Sequence, residues 1–65
     1  MPYTVEEIHE SLVNGQRKQM VEQIKAYGNY DFWHDYREYL MDFPYHRQMH
    51  YFGDAVVSYH RIEER

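Results

Sequence analysis

The sequence predicts an all-α fold: three to four short helices in a compact helical bundle with an aromatic-rich core. Apolar residues recur at intervals of three and four along most of the chain, the helical repeat rather than the alternation of a strand. Asn14-Gly15, Gly28-Asn29 and Pro44 punctuate these runs at the lengths of short helices. Twelve of the 65 residues are aromatic, eight of them tyrosine. A chain this short forms a single domain, residues 1–65, and buries only about 60% of the surface its unfolded form exposes, so large side chains must carry the core.

The first helix is expected at residues 5–13. Thr4 and Glu7 make a capping box, the threonine oxygen accepting from the third helical amide while the glutamate reaches back to the cap. Val5, Ile8 and Leu12 then share a face, until Asn14-Gly15 offers a left-handed residue to close the helix. A continuous helix through Gly15 is the alternative, at about 1 kcal/mol of propensity. The second helix follows from residue 16 or 17 to 27, with Met20, Val21, Ile24 and Tyr27 on one side and Gly28-Asn29 as its stop. The short link makes the two helices antiparallel neighbours.

The third helix starts at residues 29–31 and runs to about 42, with Phe32, Trp33, Tyr36, Tyr39, Leu40 and Phe43 in one wide apolar sector. Pro44 ends it, because proline has no amide proton and disfavours a helical conformation at Phe43, and the same residue suits the first turn of a new helix. The last helix is expected over about 45–64, with Tyr45, Met49, Phe52, Val56 and Tyr59 spaced as a seam. Gly53 lowers its propensity and leaves room for another helix to approach closely.

Composition narrows the function classes. There is no cysteine, hence neither a disulfide framework nor a thiolate metal site, and dimerisation or tight helix packing must make up the stability a small core lacks. Residues 1–7 lack the basic and apolar pattern of a secretory signal, and no run approaches a membrane span, so a soluble, cytoplasmic protein is expected. The formal net charge of −4 argues against a generic grip on nucleic acid.

The sharpest pattern is acidic. Asp31, Asp35, Glu38 and Asp42 recur at spacings of four, three and four on the third helix, away from its aromatic face. Carboxylates so placed lie roughly 5–6 Å apart at Cβ, comparable with successive phosphates of a nucleic-acid strand. They are candidates for docking a protein partner with a basic surface; a solvated helix face is the plain alternative. A helix-turn-helix reading fails on the same residues, because four carboxylates against the single Arg37 would repel phosphates.

Tyr3, Tyr30 and Tyr51 are the tyrosines least committed to the apolar seams, and Tyr39 sits at the edge of its face. Tyr30, Tyr39 and Tyr51 join the carboxylates as candidate partner-binding residues, since tyrosine gives large contact area at low entropic cost. His46 and His50 stand one turn apart, but two ligands do not make a metal site, and the zincin glutamate is missing. His9 and His34 have no evident nucleophile or oxyanion site, and no Gly-rich phosphate loop or nucleophile elbow occurs. No enzyme activity, metal or cofactor is expected.

Residues 13–24, Val-Asn-Gly-Gln-Arg-Lys-Gln-Met-Val-Glu-Gln-Ile, followed by Asp31-Phe32-Trp33-His34-Asp35-Tyr36, resemble small uncharacterised helical proteins of phages and mobile elements. The resemblance covers about half the chain and transfers no functional residue. It implies a protein that binds and inhibits or redirects a host component, nucleic-acid-handling and defence proteins included. Two other readings stand beside it: a small nucleic-acid-binding regulator using Arg17, Lys18, Lys25, Arg47 and Arg61, and a subunit that self-associates through its aromatic face.

Overall fold

The computed structural model describes residues 2–64 and shows four helices: α1 Val5–Val13, α2 Arg17–Tyr27, α3 Asn29–Leu40 and α4 Tyr45–Glu63. Local chemistry sets the first boundaries as expected. The Glu7 amide donates to Thr4 Oγ1 at 3.1 Å, and the Thr4 amide donates to Glu7 Oε1 at 2.8 Å. At the other end of α1 the Gly15 amide donates to the Leu12 carbonyl and the Gln16 amide to the Ser11 carbonyl, with Gly15 at φ +78°. That pair of bonds is a Schellman closure, and it requires the left-handed conformation that glycine adopts without a Cβ penalty. α1 and α2 are therefore separate helices packed side by side. Gly28, at φ +111°, serves both sides of the next junction: its amide closes α2 on Ile24 and its carbonyl accepts from Phe32 in α3.

α3 ends two residues before the expected position. The amides of Met41 and Phe43 turn back three residues, to Glu38 and Leu40, and tighten the chain ahead of Pro44. Asp42 thus lies in the turn rather than on the helix. Gln48 supports that turn from α4, its Nε2 donating to the Phe43 carbonyl at 2.9 Å.

The core is Ile8 and Leu12 of α1, Met20, Val21 and Ile24 of α2, Phe32, Tyr36 and Leu40 of α3, and Ala55 of α4, with Trp33, Phe43, Phe52 and other rings half-buried around it. Phe32 and Tyr36 stack with ring centroids 5.0 Å apart, and Trp33 meets Phe52 edge-on at 5.7 Å. The expected seam of α4 is displaced at its N-terminal end: Tyr45 and Met49 are 75% and 62% exposed. The inward residues are Ala55 and Ser58, flanked by Tyr51, Phe52, Tyr59 and Ile62. Gly53 neither breaks α4 nor marks a close approach, because an added Cβ would meet nothing within 4 Å.

Polar bonds tie the helices together. Arg17 of α2 donates to Ser58 at 3.0 Å and pairs with Asp54 at 3.3 Å; Lys25 pairs with Glu63 at 3.2 Å; Ser11 of α1 donates to Gln23 of α2 at 2.8 Å. Among the described residues every buried side-chain nitrogen and oxygen has a hydrogen-bond partner, as an apolar interior demands.

Candidate functional site

The acidic face of α3 is not uniform. Asp35 is half-buried against α2, where the Tyr27 hydroxyl donates to its Oδ2 at 2.6 Å. On its other side His34 Nδ1 lies 3.1 Å from Asp35 Oδ1. The Tyr27 bond, and after it the His34 bond, hold the Asp35 carboxyl below the usual carboxylate range. His34 is raised above its ordinary value by the bond to Asp35 and then by Glu38, whose carboxylate lies 4.0 Å from Nε2. Asp35 is thus a packing residue between helices as well as a member of the stripe.

Asp31, Glu38 and Asp42 are different. All three are exposed, and among the described residues none pairs with a lysine or arginine. Tyr30, next to Asp31 in the first turn of α3, is 86% exposed.

The other two candidate tyrosines turn inward. Tyr39 and Tyr51 are half-buried, and both rings lie against the buried imidazole of His9, with centroids 5.3 Å and 4.8 Å away. Phe43 and Tyr36 complete an aromatic enclosure around His9, whose Nδ1 is hydrogen-bonded to the Tyr36 hydroxyl at 2.8 Å. Burial holds the His9 imidazole below its ordinary value, although Glu10 and Glu6 pull the other way, and burial pushes the Tyr36 phenol up. Tyr3, also expected outside, is half-buried against the core. Tyr51 keeps one outward link, accepting from Arg47 at 2.9 Å.

A concavity lies where sequence periodicity suggested packing. An open groove of about 520 Å³ runs between the C-terminal half of α3 and the start of α4. Its floor and walls are Leu40, Met41, Met49 and Phe52, with Arg37 and Glu38 along the α3 side. The Arg37 guanidinium sits 5.7 Å above the Phe52 ring, a cation–π contact that holds it on the inner wall. Met41 and Met49 are more than 60% exposed. Neither was a sequence candidate. The signal for Met41 was its place just ahead of Pro44; that for His9 was its spacing from Val5 and Leu12, which puts it on the apolar side of α1.

His46 and His50 are exposed on α4, and among the described residues no three His, Asp or Glu side chains gather to hold a metal ion. Ser11 and Ser58 spend their hydroxyls on Gln23 and Asp54. Of the cations a nucleic-acid reading needs, Arg17 and Lys25 are tied to Asp54 and Glu63. No described helix is long and apolar enough to cross a membrane. No family model, curated protein or solved structure matches the chain.

Proposed function

We propose that this chain is a non-enzymatic protein-binding module that docks on the basic surface of a larger partner, in the cytoplasm of a host or bacterial cell. The observation that carries the reading is the set of exposed carboxylates Asp31, Glu38 and Asp42, which meet no lysine or arginine among the described residues. Asp35 lies one turn from both Asp31 and Glu38 on α3, and like charges at that spacing destabilise a helix by a few tenths of a kcal/mol per pair, a cost that a cationic partner relieves on binding. Such a surface also speeds encounter with a basic protein and selects against acidic ones. Tyr30 adds contact area at the same edge.

A basic surface is what a nucleic-acid-handling or defence protein presents, and the resemblance to phage and mobile-element proteins gives the same partner class: the module would inhibit such a protein by covering that surface. The bonds of Arg17 and Lys25 to acidic side chains weigh against direct nucleic-acid binding.

Capture from cell lysate tests the reading, with Glu38→Lys/Asp42→Lys as the paired control. Both positions are exposed and free of packing duties, unlike Asp35. Proteins retained by the wild type, released as salt rises and lost from the reversed variant are the expected result. Equal capture by both would overturn the acidic docking surface.

A further inference from the structure

Asn14-Gly15 does more in this fold than close α1. The pair sets a side-chain amide next to a backbone nitrogen that no following Cβ shields, because Gly15 has none. Asn14 is exposed, and with Glu10 and Val13 it lines a small notch beside His9 and Tyr51, so water and base reach it. The chemistry open to such a pair needs no other reagent. The Gly15 nitrogen gives its proton to base and attacks Asn14 Cγ; the new C–N bond closes a five-membered imide, and the side-chain nitrogen leaves as ammonia. Water then opens the imide at one of its two carbonyls. Opening at Cγ gives aspartate, whereas opening at the backbone carbonyl gives isoaspartate, with the chain rerouted through the side chain and one methylene longer. No electrons change hands: an amide and a water become an acid and ammonia.

The fold holds this reaction back at the nucleophile. The Gly15 amide donates its proton to the Leu12 carbonyl at 3.0 Å, and the next amide, Gln16, is fixed on the Ser11 carbonyl at 2.8 Å. Asn14 has ψ 3°, so the Gly15 nitrogen eclipses the Asn14 backbone nitrogen and stands away from the side chain it must attack. Ring closure requires rotation about that bond, which the two Schellman bonds oppose. The reaction therefore waits for those bonds to open, a local event at a helix end that costs far less than unfolding. Asn29, the other asparagine, is built differently: bulky Tyr30 follows it, and its Oδ1 accepts from the Tyr59 hydroxyl at 3.0 Å.

We propose that Asn14 is a self-modification site, converted to aspartate and isoaspartate at a pace set by how often the α1–α2 turn stands open. The product alters the junction that formed it. A carboxylate at the C-terminal end of α1 meets the negative end of the helix dipole and lies one turn from Glu10, with no basic residue in the last turn to offset it. The longer isoaspartate backbone no longer fits both the Gly15 and Gln16 bonds, so the α1–α2 link loosens and the change is one-way.

The test follows the whole chain at mildly alkaline pH in three states: folded, unfolded in concentrated urea, and in urea well below the unfolding transition. Anion exchange separates the more acidic product, and mass spectrometry of proteolytic peptides locates it. Asn14 should convert in the folded chain more slowly than in the unfolded one, by roughly tenfold or more. Low urea should leave the folded rate unchanged, because the opening exposes little surface, and Asn29 should stay intact in the folded chain. Asn14→Gln, in which the five-membered closure is no longer possible, should gain no charge over the same time. The separated isoaspartate form should melt below the unreacted chain.

Equal rates in the folded and unfolded chains overturn the proposal, since the turn then holds nothing back. A folded chain that reacts only as urea carries it through global unfolding overturns it as well. So does conversion of Asn29 ahead of Asn14, or an isoaspartate form that melts at the temperature of the unreacted chain.

Discussion

His9 of α1 and Tyr36 of α3 are joined by a 2.8 Å hydrogen bond inside a shell of aromatic rings. The pair connects the first helix to the centre of the core, where Tyr36 is fully buried and stacks on Phe32. Removing the hydroxyl with Tyr36→Phe keeps the ring and leaves His9 Nδ1 without its partner. An unsatisfied buried polar atom costs about 1–3 kcal/mol. In a domain of this size each kcal/mol lowers the melting temperature by roughly 4–8 °C, so differential scanning calorimetry should show a clear drop. An unchanged melting temperature would mean that water already satisfies the imidazole.

The same burial makes stability depend on pH. His9 in the folded chain titrates below its ordinary value of 6.5, so over that window the unfolded state binds more protons and folding stability falls as pH drops. The contribution is whole above the unfolded value of 6.5 and is lost as pH falls toward the folded one. His34 acts oppositely: raised by Asp35 and Glu38, it stabilises below 6.5 and loses that contribution as pH rises through its folded value. Urea midpoints for wild type, His9→Gln and His34→Gln on both sides of this window separate the two. The acid-side loss should shrink in His9→Gln and persist in His34→Gln.

The glycines predict opposite signs. Gly15→Ala places a Cβ at φ +78°, a left-handed conformation that costs an L-residue about 1–2 kcal/mol. Gly53 lies within α4, exposed, with open space where a Cβ would go, so Gly53→Ala should stabilise by roughly 0.5–1 kcal/mol. Thermal melts of the two variants check both at once, and a destabilised Gly53→Ala would point to a contact made only in an assembly.

Asp35 and Glu38 belong to one acidic stripe but should separate under mutation. Asp35→Lys removes the acceptor of the 2.6 Å Tyr27 bond between α2 and α3 and should lower the melting temperature. Glu38→Lys/Asp42→Lys breaks no bond to another helix and relieves like-charge crowding, so it should melt no lower than wild type. If Asp35→Lys melts at the wild-type temperature, the Tyr27 bond contributes nothing and Asp35 joins the docking surface alone.

The ends of the helices were legible because their causes are local. The Thr4–Glu7 box, the left-handed Gly15, Gly28 and Pro44 act within four residues of themselves, and α1, α2 and the start of α4 fall where they indicate. Only the last turn of α3 was overestimated, since the tightening ahead of Pro44 reaches back past Phe43. The acidic spacing could also be read directly, for the same reason.

The sequence by itself determined the all-α class, a count of three to four short helices and the heavy aromatic contribution to their packing; the break at Gly15 that makes them four is seen in the structure. Tertiary structure alone decided which faces those aromatics and carboxylates present. A helical seam says that apolar residues share a side, not that another element covers it. Ala55 and Ser58 carry little hydrophobic signal, yet they face inward in α4, while Tyr45 and Met49 carry a strong one and stay exposed because no helix covers them. Tyr39 and Tyr51 turned inward because His9, a residue without apolar weight, sits at the meeting point of three helices. Asp35 left the free surface through a bond to Tyr27, eight positions away in a different helix. Burial is a property of what lies opposite, and residues brought together by folding are not neighbours in the chain.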